Sequence, residues 1–375
     1  MEGDYRIVAE HIEPAVNQET TACIYEIHTF AGLKNAIQGL VNSVVEQGII
    51  RAVEYSGSIS EDISRVCLDV IRESPIGSYA VEYITHTVTR ILTYDEIDIH
   101  ISYKLSSAEI AAVRNIPTIS DYYQLIDHAL DSGAPQLVTQ LVTLSVNEQT
   151  LKKYVEDYYR SHPEKLLYQP SVSVSFFPSV EYVQKIAVLE FQYYSTDEQR
   201  SSNLSDLLQY ASSLTAKYDP SQTAETALLC CSHIASETAV QFKGRTAYDV
   251  LVGKAGNSEG CAMAFQLLCN LCAIPCRVVT GRLNGSTHYW NILQIGSYFY
   301  HVDCYESMLS GISEHFLRND SQMKKEYWWE PGDYPECAGP LSYEAVLASY
   351  VGSVSDAATD TDILSTPTEI LRQIL

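Results

Sequence analysis

Within the segment Thr246 to Ser307 the chain order Cys261, His288, Asp303 offers a thiol, an imidazole and a carboxylate, the three groups that nucleophilic acyl chemistry uses. The surrounding pattern says how they could meet. Gly253, Gly256 and Gly260 punctuate a loop, after which Ala262, Phe265, Leu268 and Cys272 recur at helical spacing until Pro275 stops the pattern. Cys261 is therefore expected at a helix N-terminus. Free N–H groups and the macrodipole there favour a thiolate, and such settings lower a cysteine pKa from about 8.5 to roughly 3.5–7.5. The Cys261 N–H would also be free to help hold an oxyanion. Downstream, His288 to Leu293 and Ser297 to Asp303 alternate as the two strands of a hairpin. A turn centred between Ile295 and Gly296 sets His288 directly opposite Asp303, with Cβ atoms about 4.5–5.5 Å apart. Trp290 shares the face of His288 and is expected to wall off water or a substrate groove. Taken singly, each residue has an ordinary explanation: a small buried Cys, a half-buried strand His, a capping Asp. Their joint register is what points to function.

Other chemistry-bearing residues read differently. Cys269, Cys272 and Cys276 form a Cys-x2-Cys-x3-Cys run. The first two belong to the helix after Cys261 and the third opens the next strand, so core packing is expected rather than a metal centre. The acidic residues form no calcium loop of the EF-hand type. No metal or other cofactor is expected, and the ten Cys show no disulfide framework, which favours reduced thiols.

Two helical stretches, Leu204 to Tyr218 and Thr223 to Val240, lead into this segment, and the polar run Ser195 to Ser205 reads as the linker before them. Upstream, a pattern occurs twice. Ile63, Val66, Cys67, Val70 and Ile71 make one apolar helical stripe ending at Pro75; Leu151, Tyr154, Val155, Tyr158 and Tyr159 make another ending at Pro163, offset by 88 residues. Each is followed by an alternating strand, Ile97 to Tyr103 and Ala187 to Tyr193. Each is preceded by a short apolar run, Ile49 to Val53 and Leu137 to Val142, and an earlier helix. Two tandem small α+β modules of the order helix, strand, helix, strand, strand are expected, and neither holds a phosphate loop or a nucleophile–base pair.

Charge and length bound the rest. The 375 residues suggest two or three domains at roughly 150 residues each. Lys plus Arg number 24 against 47 Asp plus Glu, a net charge of −23 that repels nucleic acid and anionic lipid. The longest uncharged apolar run, Gly260 to Cys276, is broken by Gln266, Asn270 and Pro275 and falls short of the roughly 20 residues of a membrane span. The acidic start, Met1 to Glu10, lacks the apolar core of a signal peptide. A cytoplasmic chain is the default expectation; a cell-surface or secreted one follows if a leader has been removed.

The Gly-Cys at a helix start, the stretch His288 to Asn291 and the sequence Val302 to Cys304 resemble the transglutaminase-like superfamily, whose relatives include bacterial cysteine-peptidase-like proteins. The resemblance continues through Phe316 to Asp320, the pair Trp328 and Trp329, and Tyr334 with Pro335. It implies Cys261 as nucleophile, His288 as general base and then acid, and Asp303 as orienting carboxylate. Tyr248 matches a recurrent position of bacterial members and would support the site or the oxyanion pocket. Asp303 is followed by Cys304, where many relatives carry Pro or another small residue. The implied fold is α+β: a papain-like, transglutaminase-like cysteine-protease core behind the two modules. The expected organisation is module one at 1–110, module two at 111–200, the catalytic domain at 204–345, and a linker with a short C-terminal helix at 346–375. The implied reaction is attack on peptide or protein amides, most simply hydrolysis by a cysteine peptidase or amidase. Acyl transfer to amines, as in a protein-glutamine transglutaminase, and a non-catalytic peptide-binding module are the alternatives. The partner is a peptide or protein substrate; the oligomeric state is left open.

Overall fold

A computed structural model of the protein describes residues 5–7, 23–142, 146–165, 167–179 and 184–358. The chain divides into two compact units, Met1–Lys152 with Val172–Phe191, and Lys153–Ser171 with Gln192–Leu375.

The first unit is α+β. Its elements run β1 (Tyr5–Ile7), β2 (Cys23–Ile27), α1 (Phe30–Asn42), β3 (Gln47–Val53), α2 (Ile59–Glu73), α3 (Pro75–Ala80), β4 (Val81–Ile91) and β5 (Tyr94–Tyr103). They continue with α4 (Ser107–Ala111), β6 (Arg114–Ile116), α5 (Ile119–Asp131), β7 (Gln136–Leu141), β8 (Ser171–Phe177) and β9 (Lys185–Gln192), while α6 (Glu148–Ser161) has most of its residues in the second unit. One sheet has the order β1-β2-β3-β5-β4, the other β6-β7-β9-β8. In both, the first two strands of the strand–helix–strand pair are parallel and the next pairing is antiparallel. The stripe expected on α2 is the buried one: Ile63, Val66, Cys67 and Val70 pack with Leu33, Ile37 and Leu40 of α1 and with Ile97 and Ile99 of β5. Ile186 and Val188 of β9 join the same core. Ser74 and Pro75 end α2 and start α3, because the Ser74 side chain accepts the Gly77 N–H while Pro75 needs no donor at the first helical position.

The second unit is also α+β. Its further elements are α7 (Asp197–Thr215), α8 (Thr223–Glu237), β10 (Ala239–Val240), α9 (Ala247–Leu251), β11 (Ala255–Gly256), α10 (Ser258–Leu271), β12 (Cys276–Leu283), β13 (Ser286–Ile295) and β14 (Tyr298–Val302). After them come α11 (Cys304–Ser310), α12 (Asp320–Met323), β15 (Tyr327–Trp328) and α13 (Tyr343–Ala358). A sheet of order β14-β13-β12-β15 packs against α10.

Two expectations change. Ser195 to Ser205 is not an extended linker: the Thr196 side chain caps α7 by accepting the Gln199 N–H, and Asp197 and Glu198 favour the positive end of that helix. Val351 to Ala358, expected as part of the linker within 346–375, continues α13, whose buried Val346 and Tyr350 belong to a helix packed on α8. The short helix expected after Thr366 lies outside the described residues, as does the acidic start apart from Tyr5–Ile7. No described helix is long and apolar enough to cross a membrane.

Candidate active site

The helix that carries the thiol begins earlier than its apolar pattern suggests. Asn257 is the N-cap of α10, its side chain accepting the Gly260 N–H at 3.1 Å. Cys261 is then the fourth helical residue, the first whose own N–H has an acceptor inside the helix, and it donates to the Asn257 carbonyl at 2.9 Å. The expected free N–H for an oxyanion is therefore already used. Gly260 is required for close approach rather than as a loop residue, since a Cβ there would lie 2.6 Å from the Gly244 carbonyl oxygen. Cys261 has no exposed surface, and its Sγ lies 3.7 Å from the Met308 sulfur on α11. Burial, with the charges of Asp303 and Cys231 adding to it, pushes the thiol pKa well up. The expected thiolate is corrected to a neutral thiol, because desolvation outweighs the helix dipole once the first turn is capped and covered.

His288 and Asp303 meet by a register different from the expected one. The hairpin turn is Gly296 and Ser297, with Ile295 opposite Tyr298 and Gly296 at the positive φ of a primed turn. Pairing ends at Asn291 and Val302, and Asp303 leaves the strand as N-cap of α11. The shift is two residues. Side chains alternate with period two, so the shift keeps both on one face and makes them diagonal rather than direct neighbours. The side chains span the diagonal: His288 Nε2 lies 2.6 Å from Asp303 Oδ2, both groups buried. Since the carboxylate can only accept, Nε2 is assigned the proton and Nδ1 is the ring nitrogen left to exchange one. Asp303 Oδ1 accepts the Glu306 N–H at 3.0 Å, and Oδ2 also accepts the Tyr327 hydroxyl at 2.9 Å.

One face of α11 lies across the pair. Tyr305 meets the His288 ring edge-on at a centroid distance of 6.0 Å, and Met308, three residues on, touches Cys261. Trp290 does not line an open groove: it is fully buried, 6.2 Å from His288 between ring centroids, and donates Nε1–H to His301 Nδ1 at 3.0 Å. It walls His288 off from water from beneath, within the cluster of Val279, Ile292, Met323, Tyr327 and Trp329. Tyr248 is half-buried on α9 and lies near Tyr168, whose pKa is raised by burial and by Asp249 and Tyr248. Among the described residues no hydrogen bond joins it to Cys261, His288 or Asp303.

The metal question has a local answer. His301, Asp320 and Cys337 gather ligand-type atoms within 4.8 Å of one another. His301 Nδ1 is occupied by the Trp290 N–H, and Nε2 then carries the proton it gives Asp320 Oδ1 at 3.1 Å. That leaves no lone pair for a cation, and burial holds this imidazole below its usual pKa despite the carboxylate. Of the Cys-x2-Cys-x3-Cys run, Cys269 and Cys272 lie beside Cys230 of α8 and Cys276 lies beside Cys269, all of them free thiols. Cys304 is buried against Cys231, and desolvation pushes its pKa up.

Met308, Tyr305 and Tyr327 are the residues that sequence reasoning missed. Tyr327 stands directly before the noted Trp pair, but only the pairing of Leu283 with Tyr327 reveals what it faces.

Residues 208–304, which include all three candidate catalytic residues, match the family model of the transglutaminase-like superfamily. Two solved structures are similar. One, described as a TGase, is 12% identical with a TM-score of 0.25, over 55% of this chain and 60% of that one. The other, described as a candidate cysteine protease from Cytophaga hutchinsonii, is 14% identical with a TM-score of 0.24, over 45% of this chain and 70% of that one. At these TM-scores neither likeness bears on the fold. No curated protein matches.

Proposed function

We propose that this member of the transglutaminase-like superfamily performs thiol-dependent acyl chemistry on peptide or protein amides, with hydrolysis as its outcome. The observation that supports this most directly is the buried 2.6 Å contact between His288 and Asp303, beside a helix whose first turns carry Cys261. In this reading the Cys261 sulfur attacks the acyl carbon as its proton passes to His288 Nδ1. Asp303, accepting the Nε2 proton, holds the ring in that tautomer and favours the imidazolium that forms. The imidazolium then protonates the leaving amine as the C–N bond breaks. Water, deprotonated by the same imidazole, releases the thioester as a carboxylate. A neutral resting thiol is compatible with this, because the base removes the proton during attack. The catalytic segment is 204–345, the cover of α11 must give way for substrate to arrive, and Tyr248 remains a supporting residue. The order β2-β3-β5-β4 within one sheet, matched by β6-β7-β9-β8 in the other, supports reading that part as two related modules, which we assign to binding or spacing.

A non-catalytic peptide-binding role is the second reading, favoured by the complete burial of Cys261. A peptide library with cleavage read by mass spectrometry decides between them. Cleavage by the native chain and its loss in Cys261→Ala is the expected result; equal cleavage by both, or none by either, overturns hydrolysis. Incorporation of a labelled primary amine into a Gln-rich protein, lost in Cys261→Ala, would replace hydrolysis by transfer.

A further inference from the structure

The segment beyond the family match supplies a fourth member of the site. The geometry points to Tyr327 as a positioning residue that acts through Asp303, an inference that rests on the triad reading above. Tyr327 donates its hydroxyl to Asp303 Oδ2 at 2.9 Å, the same oxygen that holds His288 Nε2 at 2.6 Å. Its ring also packs edge-on against His288 at 5.8 Å and against Trp290 at 5.2 Å. One side chain thus touches both partners of the pair and restricts both. The carboxylate has two free rotations in principle. With Oδ1 held by the Glu306 N–H and Oδ2 by Tyr327, its plane is fixed before the imidazole arrives.

The surroundings keep that hydroxyl a donor. Tyr327 is buried, and burial together with the Asp303 charge raises its pKa far above the usual phenol value, so it stays protonated wherever Asp303 is ionised. Its position comes from β15, where Leu283 pairs with Tyr327 and Arg282 with Trp328. Residues 208–304 therefore carry Cys261, His288 and Asp303, while the orientation of Asp303 is completed from outside that segment.

The test is a double-mutant cycle read on Cys261 itself. The rate at which iodoacetamide modifies Cys261 is followed by mass spectrometry in the native chain, Tyr327→Phe, Asp303→Ala and the double variant. Tyr327→Phe keeps the ring and removes only the hydroxyl. It is expected to slow modification roughly tenfold in the native background, and by less than about twofold when Asp303 is already absent. Equal slowing in both backgrounds, or none in the native one, overturns the inference, since a merely structural Tyr would act regardless of Asp303. A second readout is independent of thiol chemistry. In Cys261→Ala protein the downfield imidazole N–H resonance of His288, assigned by its loss in His288→Asn, is expected to broaden or move upfield when Tyr327→Phe is added. An unchanged resonance overturns the positioning role. If Cys261→Ala leaves peptide cleavage unchanged, the triad reading fails on its own, and the resonance still judges Tyr327.

Discussion

Met308 packs directly on the Cys261 thiol. Its sulfur lies 3.7 Å from the Cys261 thiol, on a residue with no exposed surface, and burial is the first cause of the raised thiol pKa. A group whose pKa is raised is mostly protonated at neutral pH, so Cys261 of the native chain should react more slowly than a free cysteine and faster as pH rises. Met308→Ala removes the cover and admits water. The expected outcome is about a tenfold faster modification of Cys261 at pH 7, the effect of one pKa unit on a minor thiolate fraction. Peptide mapping after brief iodoacetamide treatment measures it; an unchanged rate would mean that Met308 is not what shields the thiol. The three candidate residues are read from type, order and hairpin register, and the contact between His288 and Asp303 follows from that reading. The protonation state of Cys261 was not legible in the sequence, because it depends on a residue 47 positions later folding back over it.

Gly281 decides how closely β15 can approach the sheet. It stands opposite His288 on β12, and a Cβ there would collide with the Trp328 carbonyl oxygen and the Trp290 ring. Gly281→Ala must therefore push β15 outward, the strand that delivers Tyr327 to Asp303. The expected cost is about 1–3 kcal/mol of stability from overpacking, read from the urea midpoint. Cys261 modification should slow in parallel, because the hydroxyl bond to Asp303 is lost with the strand's position. Stability lost without any change at Cys261 would show that β15 does not support the site. Element-level reading of the sequence succeeded where periodicity decides and failed where a turn or a cap does. The hairpin of β13 and β14, the apolar stripes of α2 and α6 and the helix after Cys261 follow from spacing. The two-residue shift of the hairpin came from the choice among turn positions near Gly296, and it did no harm because parity preserved the face. The first turn of α10 was missed because its cap, Asn257, precedes the apolar pattern. The pairing of β12 with β15 joins strands more than 40 residues apart, and no local pattern announces it.

At the scale of the whole chain, buried titratable groups set the pH range in which the second unit holds together. Burial keeps the imidazoles of His301 and His315 below their ordinary pKa and brings that of His233 down to about 4. Their unfolded counterparts take up protons at about pH 6.5, so the unfolded state binds more protons, and stability falls as pH drops from about 6.5 toward 4. On the other side, burial raises the thiols of Cys261 and Cys304. Unfolded thiols ionise near pH 8.5 while these stay neutral, so stability also falls above that value. All three Trp residues, Trp290, Trp328 and Trp329, belong to this unit, so their fluorescence reports on it selectively. Urea midpoints by Trp fluorescence are therefore expected to be highest between about pH 6.5 and 8.5 and to fall on both sides. The charge of −23 contributes self-repulsion of its own at high pH. Salt separates the two effects, since about 0.5 M salt screens repulsion between surface charges and leaves the buried thiols untouched. A decline above pH 8.5 that salt abolishes would assign it to net charge. One that persists assigns it to the thiols packed around α10, and a flat profile from pH 4 to 6.5 would contradict the neutral buried imidazoles, including the one that holds Trp290 beneath the site.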